Sequence, residues 1–375
     1  MSLPATPVRV MQLISSLEVG GAEMMLLAFL KSVQKSEGTD VVTVILNDLF
    51  HQGLRSEIES LNGQTHFFER TPSNKHPRYV QRLLSLIDQH RIQLIHVHDP
   101  GSRLAALACK MLRPNLKIVF TVHDTHIIDR FSSYWLWVHR LFIDGHIAIS
   151  GSVEKECRQF GIQNVRKIYN GVNLSNFQRK PITQPQEERP LRLVQVARFE
   201  LEKKGQDLLL RAIRRCLDLG YPVECSLVGM VTPSMEDQFL RLNELINKLE
   251  LSHHVHLLTN RTDVPIILLD QDVFILPSRK EGFGLVIIEA MASGLPVIAS
   301  NLDGPAELIC TEENGLLFEP ENPEHLASLI IRLHKDVGFR NSLAQKGYQS
   351  AQSYSIETMT FEYLRYYRTL TTGKA

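Results

Sequence analysis

The segment spanning residues 276–297, LPSRKEGFGLVIIEAMASGLPV, holds the densest set of residues able to do chemistry. An apolar run ends at Pro277, a polar loop with Gly282 and Gly284 follows, and an apolar helix is expected from near Leu285. Glycines there let the backbone come close to a ligand, and a helix N-terminus presents unbonded N–H groups to a phosphate. Glu281 stands in the loop and Glu289 in the helix, eight positions on. Eight helical steps span about 12 Å, whereas a retaining glycosidase needs its carboxylates about 5 Å apart. The two cannot form a hydrolytic pair. Their spacing suits two hydroxyl-bearing parts of one extended ligand. It suits equally a solvated loop acid and an acid favoured by the helix dipole, and spacing alone leaves both readings open.

Such residues need a scaffold. Short apolar runs at 8–14, 41–46, 94–97, 117–122 and 146–149 alternate with amphipathic stretches at 22–36, 79–89 and 104–112. A parallel sheet buried on both faces requires this alternation, which predicts a Rossmann-like first half. The pattern stops at 180–190, KPITQPQEERP, whose three prolines read as a linker. It then restarts, with strands expected at 191–197, 223–228, 255–258, 273–276 and 296–299 and helices at 206–219 and 235–248. The expected organisation is a first domain over 1–180, a linker over 181–190, a second Rossmann-like domain over 191–355 and a terminal helix within 356–375. That helix carries Phe361, Tyr363, Tyr366 and Tyr367, with Tyr354 just before it. It must close the second domain or cross back to the first. The fold class is α/β, two parallel-sheet domains facing each other across a cleft, where ligands of such folds usually bind.

The chain has 375 residues, 43% hydrophobic and 22% charged, as two ordinary globular domains would. Lys plus Arg and Asp plus Glu are both 41, which argues against a nucleic-acid binder. The zero total conceals a split: 21 basic and 15 acidic side chains in 1–180 against 20 and 26 in 181–375, or +6 and −6. Either the imbalance is incidental, or the first domain faces something anionic, a phosphorylated acceptor or a membrane surface. The aromatic stretch 131–142, FSSYWLWVHRLF, is open to two matching readings, core packing or contact with an acceptor or membrane. Five cysteines without metal-ligand spacing read as reduced thiols of a cytosolic protein. No secretory signal pattern and no run approaching 18 apolar residues is present. A soluble, cytoplasmic chain is expected, at most peripheral at the inner face of a membrane.

The two glutamates and their frame, PSRKEGFGLVIIEAMASGLPVIAS, resemble the E-x7-E signature of the GT4 glycosyltransferases. Other landmarks of that family occur in order: VGGAE at 19–23, FTVHD at 120–124, IYNGVN at 168–173, ARFELEKKG at 197–205, DGPAELI at 303–309 and NGLLFEP at 314–320. The resemblance covers nearly the whole chain. It implies a GT-B fold and retaining transfer from a nucleotide sugar without a required metal.

Carried over residue by residue, the resemblance assigns a donor site. Arg198 and Lys204 would hold the donor diphosphate and stabilise the charge that grows on it as the glycosidic bond breaks. A Lys203–Lys204 doublet leaves either lysine available, and Lys204, beside Gly205, is preferred. Glu289 would bind the nucleotide ribose and Glu281 the sugar hydroxyls near the reacting centre. Amides around Gly284, Leu285 and Val286 would receive phosphate oxygens, and Gly20 and Gly21 would approach the same phosphates or the acceptor. His123, at a strand end, would lie near the transferred sugar. His96 and His98 form an HVH pair, but no carboxylate or cysteine set completes a metal site. A literal DxD at Asp270–Asp272 suits turn and capping roles better than manganese. No metal and no cofactor is therefore expected beyond the co-substrate, a UDP- or GDP-sugar.

The expected function is metal-independent, retaining transfer of a hexose-type sugar to a glycan or lipid-phosphate-linked acceptor, in cell-surface polysaccharide or glycolipid synthesis. The rivals are a non-catalytic partner subunit and a sugar-nucleotide epimerase on the same fold. A glycan phosphorylase lacks its pyridoxal-lysine motif here, and a Rossmann dehydrogenase lacks its GxGxxG.

Overall fold

The computed structural model describes residues 8–373 apart from 19, 35–38, 62, 75, 126, 181–188 and 232–234. Among these, thirteen strands form two parallel sheets. The first contains β1 (Val8–Ile14), β2 (Thr39–Asn47), β3 (Gln64–Arg70), β4 (Leu94–Val97), β5 (Lys117–Val122), β6 (Gly145–Ala148) and β7 (Val165–Lys167), in the order 3-2-1-4-5-6-7. The second contains β8 (Leu191–Val196), β9 (Val223–Gly229), β10 (Val255–Thr259), β11 (Val273–Leu276), β12 (Val297–Ser300) and β13 (Leu316–Phe318), in the order 10-9-8-11-12-13. Strand order reverses beside β1 in one sheet and beside β8 in the other. In open α/β sheets ligands bind outside the carboxyl ends of the strands at such a reversal.

Central strands β4, β6, β11 and β12 are buried along their whole length. Their mostly apolar sequences are explained by helices on both faces, and each fully buried large apolar side chain contributes about 1.5–3 kcal/mol. The sheet positions expected from apolar runs agree with the structure to within two residues. Strands β3, β7 and β13 were not expected. All three lie at sheet edges or are only three residues long, and β3 (QTHFFER) is half exposed. Pairing with β2, from Val42↔Gln64 onward, makes β3 a strand.

The chain divides into two compact units, Met1–Gly171 with Ile356–Ala375, and Val172–Ser355. This division precedes the expected linker, of which 181–188 lie outside the described residues. Residues 172–180 belong to the second unit: Val172 N–H donates to Tyr354 O at 2.9 Å, Lys180 N–H to Ser293 O at 2.9 Å, and Lys180 pairs with Asp272 at 3.1 Å.

The terminal helix, Ile356–Thr372, belongs to the first unit. Tyr363 and Tyr367 are completely buried, Tyr363 beside Phe29 at 5.6 Å. Arg166 on β7 pairs with Glu362 at 2.7 Å. The aromatic stretch 131–142 becomes a helix over Ser133–Phe142 with two different faces. Val138 and His139 are buried and Trp135 lies 3.5 Å from the buried Arg103 guanidinium, while Tyr134, Trp137, Leu141 and Phe142 are exposed. All five cysteines are free thiols, four of them buried. No described helix is long and apolar enough to cross a membrane.

Candidate active site

In the second unit, two loops at the carboxyl edge of the sheet bear most of the expected residues. The loop after β8 carries Arg198 and Lys204, and two glutamines hold its backbone. Gln195 Nε2 donates to Lys204 O and Gln206 Nε2 to Arg198 O, both at 2.8 Å. Gly205 sits at φ 65°, and a Cβ there would strike Pro277 O, so only glycine lets this turn lie against the loop after β11. Arg279 N–H donates to Lys203 O at 2.9 Å, and its guanidinium bonds Leu201 O and Asp207 at 2.8 Å. The two loops are thus joined through backbone.

This joining brings Lys204 Nζ to 2.8 Å from Glu281 Oε2, with both side chains mostly buried. Ser278 Oγ donates to the same carboxylate at 3.3 Å. Arg198 remains half exposed and pairs with Glu200 at 3.2 Å. Gly284, at φ 92°, caps the helix Leu285–Ala292. Ile287 N–H closes on Gly284 O at 2.9 Å, so by helix geometry the Leu285 and Val286 amides have no intrahelical acceptor. Glu289 lies on that helix, half buried, and its carboxyl has no hydrogen-bond or ion-pair partner among the described residues. Burial pushes it up to about 7. The cluster therefore combines two cations, one carboxylate tied to a cation, one carboxyl free to meet hydroxyls, and helix-start amides.

Asp272 is engaged elsewhere. It precedes β11, at the opposite end of that strand from Glu281, and accepts from Arg189 at 2.6 and 2.9 Å and from Arg192 N–H at 3.1 Å. Burial alone would push this carboxyl up, yet the Arg189 fork, with Arg192 N–H and Lys180, holds it well below the usual range. Asp270 forms the C-cap of helix Val264–Leu269.

In the first unit, His123 follows β5 and is half buried. Burial lowers it to about 4, so the imidazole is neutral at pH 7. His98 Nδ1 lies 3.4 Å from His123 Nε2, and His98 Nε2 lies 2.7 Å from Gln12 Oε1. His96 is enclosed by Tyr367 and Thr121. The HVH pair is thus committed to protein hydrogen bonds. Gly20 is the extended N-cap of helix Gly21–Val33, and a Cβ on Gly21 would meet no described atom within 4 Å. Val19 lies outside the described residues.

Sequence reasoning missed Gln12, Gln195, Asp99 and Tyr367. Asp99 accepts from Ser15 N–H at 2.7 Å and Ser102 N–H at 2.9 Å, tying the end of β1 to the helix that starts at Pro100. The available signal was a polar residue within an apolar strand: Gln12 in VRVMQLI and Gln195 in LRLVQV.

Known proteins share this plan. Residues 177–350 match the model for glycosyl transferases group 1, and residues 19–176 match that for glycosyltransferase family 4. The chain is 25% identical over 298 residues to the N-acetyl-alpha-D-glucosaminyl L-malate synthase of Bacillus anthracis, covering 76% of each. It is 23% identical over 301 residues to the phosphatidyl-myo-inositol mannosyltransferase of Mycolicibacterium smegmatis, covering 78% of this chain and 75% of that one. The Anabaena protein HepE, solved in complex with UDP, superposes with a TM-score of 0.80 at 22% identity, covering 96% and 99% of the two chains. The fold is GT-B, and the chain belongs to glycosyltransferase family 4.

Proposed function

We propose that this glycosyltransferase moves a hexose-type sugar from a UDP- or GDP-sugar, with retention and without a metal, to a glycan or lipid-phosphate-linked acceptor. The observation that carries the donor reading is the Lys204–Glu281 contact, which joins the loop bearing Arg198 to the loop that runs into helix Leu285–Ala292. Arg198, Lys204 and the Gly284–Val286 amides hold the diphosphate. Glu289 accepts from the ribose hydroxyls, and Glu281 from hydroxyls of the sugar. As the bond from the anomeric carbon to the phosphate oxygen breaks, the acceptor oxygen bonds that carbon from the same face. Its proton passes to the departing phosphate oxygen. The cations supply the electrostatic stabilisation that divalent ions supply elsewhere. A described complex of a structural neighbour with UDP supports a uridine donor.

The acceptor reading rests on the first unit. Its basic excess suits an anionic acceptor, and the exposed Tyr134, Trp137, Leu141 and Phe142 suit peripheral contact with a membrane in cell-surface glycan or glycolipid synthesis. The mannosyltransferase relative, by its name, acts on a phosphatidylinositol lipid. The test is incubation with UDP- and GDP-sugars and a panel of acceptors in EDTA, with the product anomer read by NMR. Transfer with the donor's anomeric configuration is expected. Inversion, or activity abolished by EDTA, overturns the proposal.

A further inference from the structure

We propose that His123 is held as one tautomer, protonated on Nε2, by a one-directional chain of hydrogen bonds that crosses the first sheet to the terminal helix. Gln12, His98 and Tyr367 are then positioning residues for whatever hydroxyl His123 meets. The inference rests on the reading that His123 contacts sugar or acceptor. Its geometry does not.

The chain can be followed atom by atom. Gln12 fixes the direction, because its amide accepts at one end and donates at the other. Gln12 Oε1 accepts from His98 Nε2–H at 2.7 Å, and Gln12 Nε2 donates to Tyr367 Oη at 3.3 Å. The Tyr367 hydroxyl proton is then directed to His96 Nδ1 at 2.6 Å, and His96 Nε2–H to Thr121 Oγ1 at 2.6 Å. On the other side, a neutral His98 protonated on Nε2 has a lone pair on Nδ1. That lone pair receives His123 Nε2–H at 3.4 Å, and the two rings stack at 5.7 Å. His123 Nδ1 is left as an acceptor, suited to a ligand hydroxyl. Burial keeps His96 and His98 neutral and Tyr367 protonated, so the directions are not scrambled by titration near neutral pH.

A purely structural core would not need this. Apolar residues of the same shape fill a core at least as well, because a buried polar chain gains little net stability and costs much when one link fails. Gln12, His96, His98, Thr121 and Tyr367 are all buried, and His123 is the half-buried member at the strand end. The chain therefore delivers its orientation to the one ring that a ligand can touch. Setting a tautomer through the far nitrogen is a known way to tune a functional histidine.

The experiment is long-range 1H–15N correlation on the full chain labelled with 15N-histidine, alongside steady-state kinetics of Gln12→Met and Tyr367→Phe. A single Nε2–H form of His123 is expected in the wild type. Gln12→Met should give mixed tautomers and lower kcat about tenfold with donor KM unchanged, as orientation losses do. Tyr367→Phe, which keeps the Gln12–His98 link, should act about threefold in the same direction and serves if Gln12→Met does not fold. An Nδ1–H form of His123, or unchanged tautomer and kcat in folded variants, overturns the proposal. The spectrum needs no substrate, so its outcome is separate from any failure of the transferase reading.

Discussion

Each unit has a glutamine near the carboxyl end of the first strand of its sheet, and the two are used in opposite ways. In β8, Gln195 donates to the backbone carbonyl of Lys204 and so fixes a turn that presents charge. In β1, Gln12 joins a chain of neutral side chains that ends on His123. The same strand position thus supports a cationic, partly exposed cluster in one unit and a buried, uncharged relay in the other. Charge is suited to a diphosphate, whose leaving demands electrostatic stabilisation, whereas neutral hydrogen bonding is suited to placing a hydroxyl. Two similar sheets thus present different chemistry because the side chains at their switch points differ.

The largest effect should come from removing the charged side. Lys204→Ala is expected to lower transfer about 1000-fold, the upper range for loss of one electrostatic stabiliser, measured as nucleotide release in the presence of acceptor. Glu281→Gln should cost about 100-fold in kcat by the same argument while leaving nucleotide affinity near that of the wild type. A large affinity loss in Glu281→Gln would instead place this carboxylate in ground-state binding.

The third prediction concerns stability. Glu289 is raised to about 7 when folded, from an ordinary 4.5. The folded state therefore binds its proton more tightly, and the stability this gives is present below about pH 4.5 and lost as pH rises to 7. Glu289→Gln should stabilise the ligand-free protein at pH 8 by at most about 3 kcal/mol and leave it nearly unchanged about one unit below the ordinary value, where both states are protonated, read as thermal unfolding. Equal shifts at both pH values would contradict the stated cause. The smallest effect should come from Asp99→Ala in the first unit. Loss of its cap should cost about 1 kcal/mol, a shift in Tm of a few degrees, with nucleotide affinity unaltered. A change in that affinity would break the separation of roles.

The difference between the units also explains what could be read in the sequence. Glu281, Glu289, Gly284 and Arg198 stand in short segments where charge and glycine interrupt apolar runs, so local pattern exposes them. The β1, β4, β5 and β11 runs were equally legible, because a strand buried on both faces is apolar along most of its length. Gln12 and Tyr367 are 355 residues apart, and nothing local joins them. The aromatic content of Ile356–Thr372 demanded a partner surface, but only the fold shows that the partner is the first unit. Edge strands β3 and β7 were invisible for a related reason, since pairing defines them and their own composition does not.

The most direct test of this division is calorimetric titration of UDP and GDP into the wild type, Lys204→Ala and His123→Ala. Saturable binding of at least one nucleotide to the wild type is expected, with similar affinity for His123→Ala and affinity at least about tenfold weaker for Lys204→Ala, as loss of a charge-assisted contact requires. Equal affinity in all three proteins, or loss of binding in His123→Ala alone, would contradict the division.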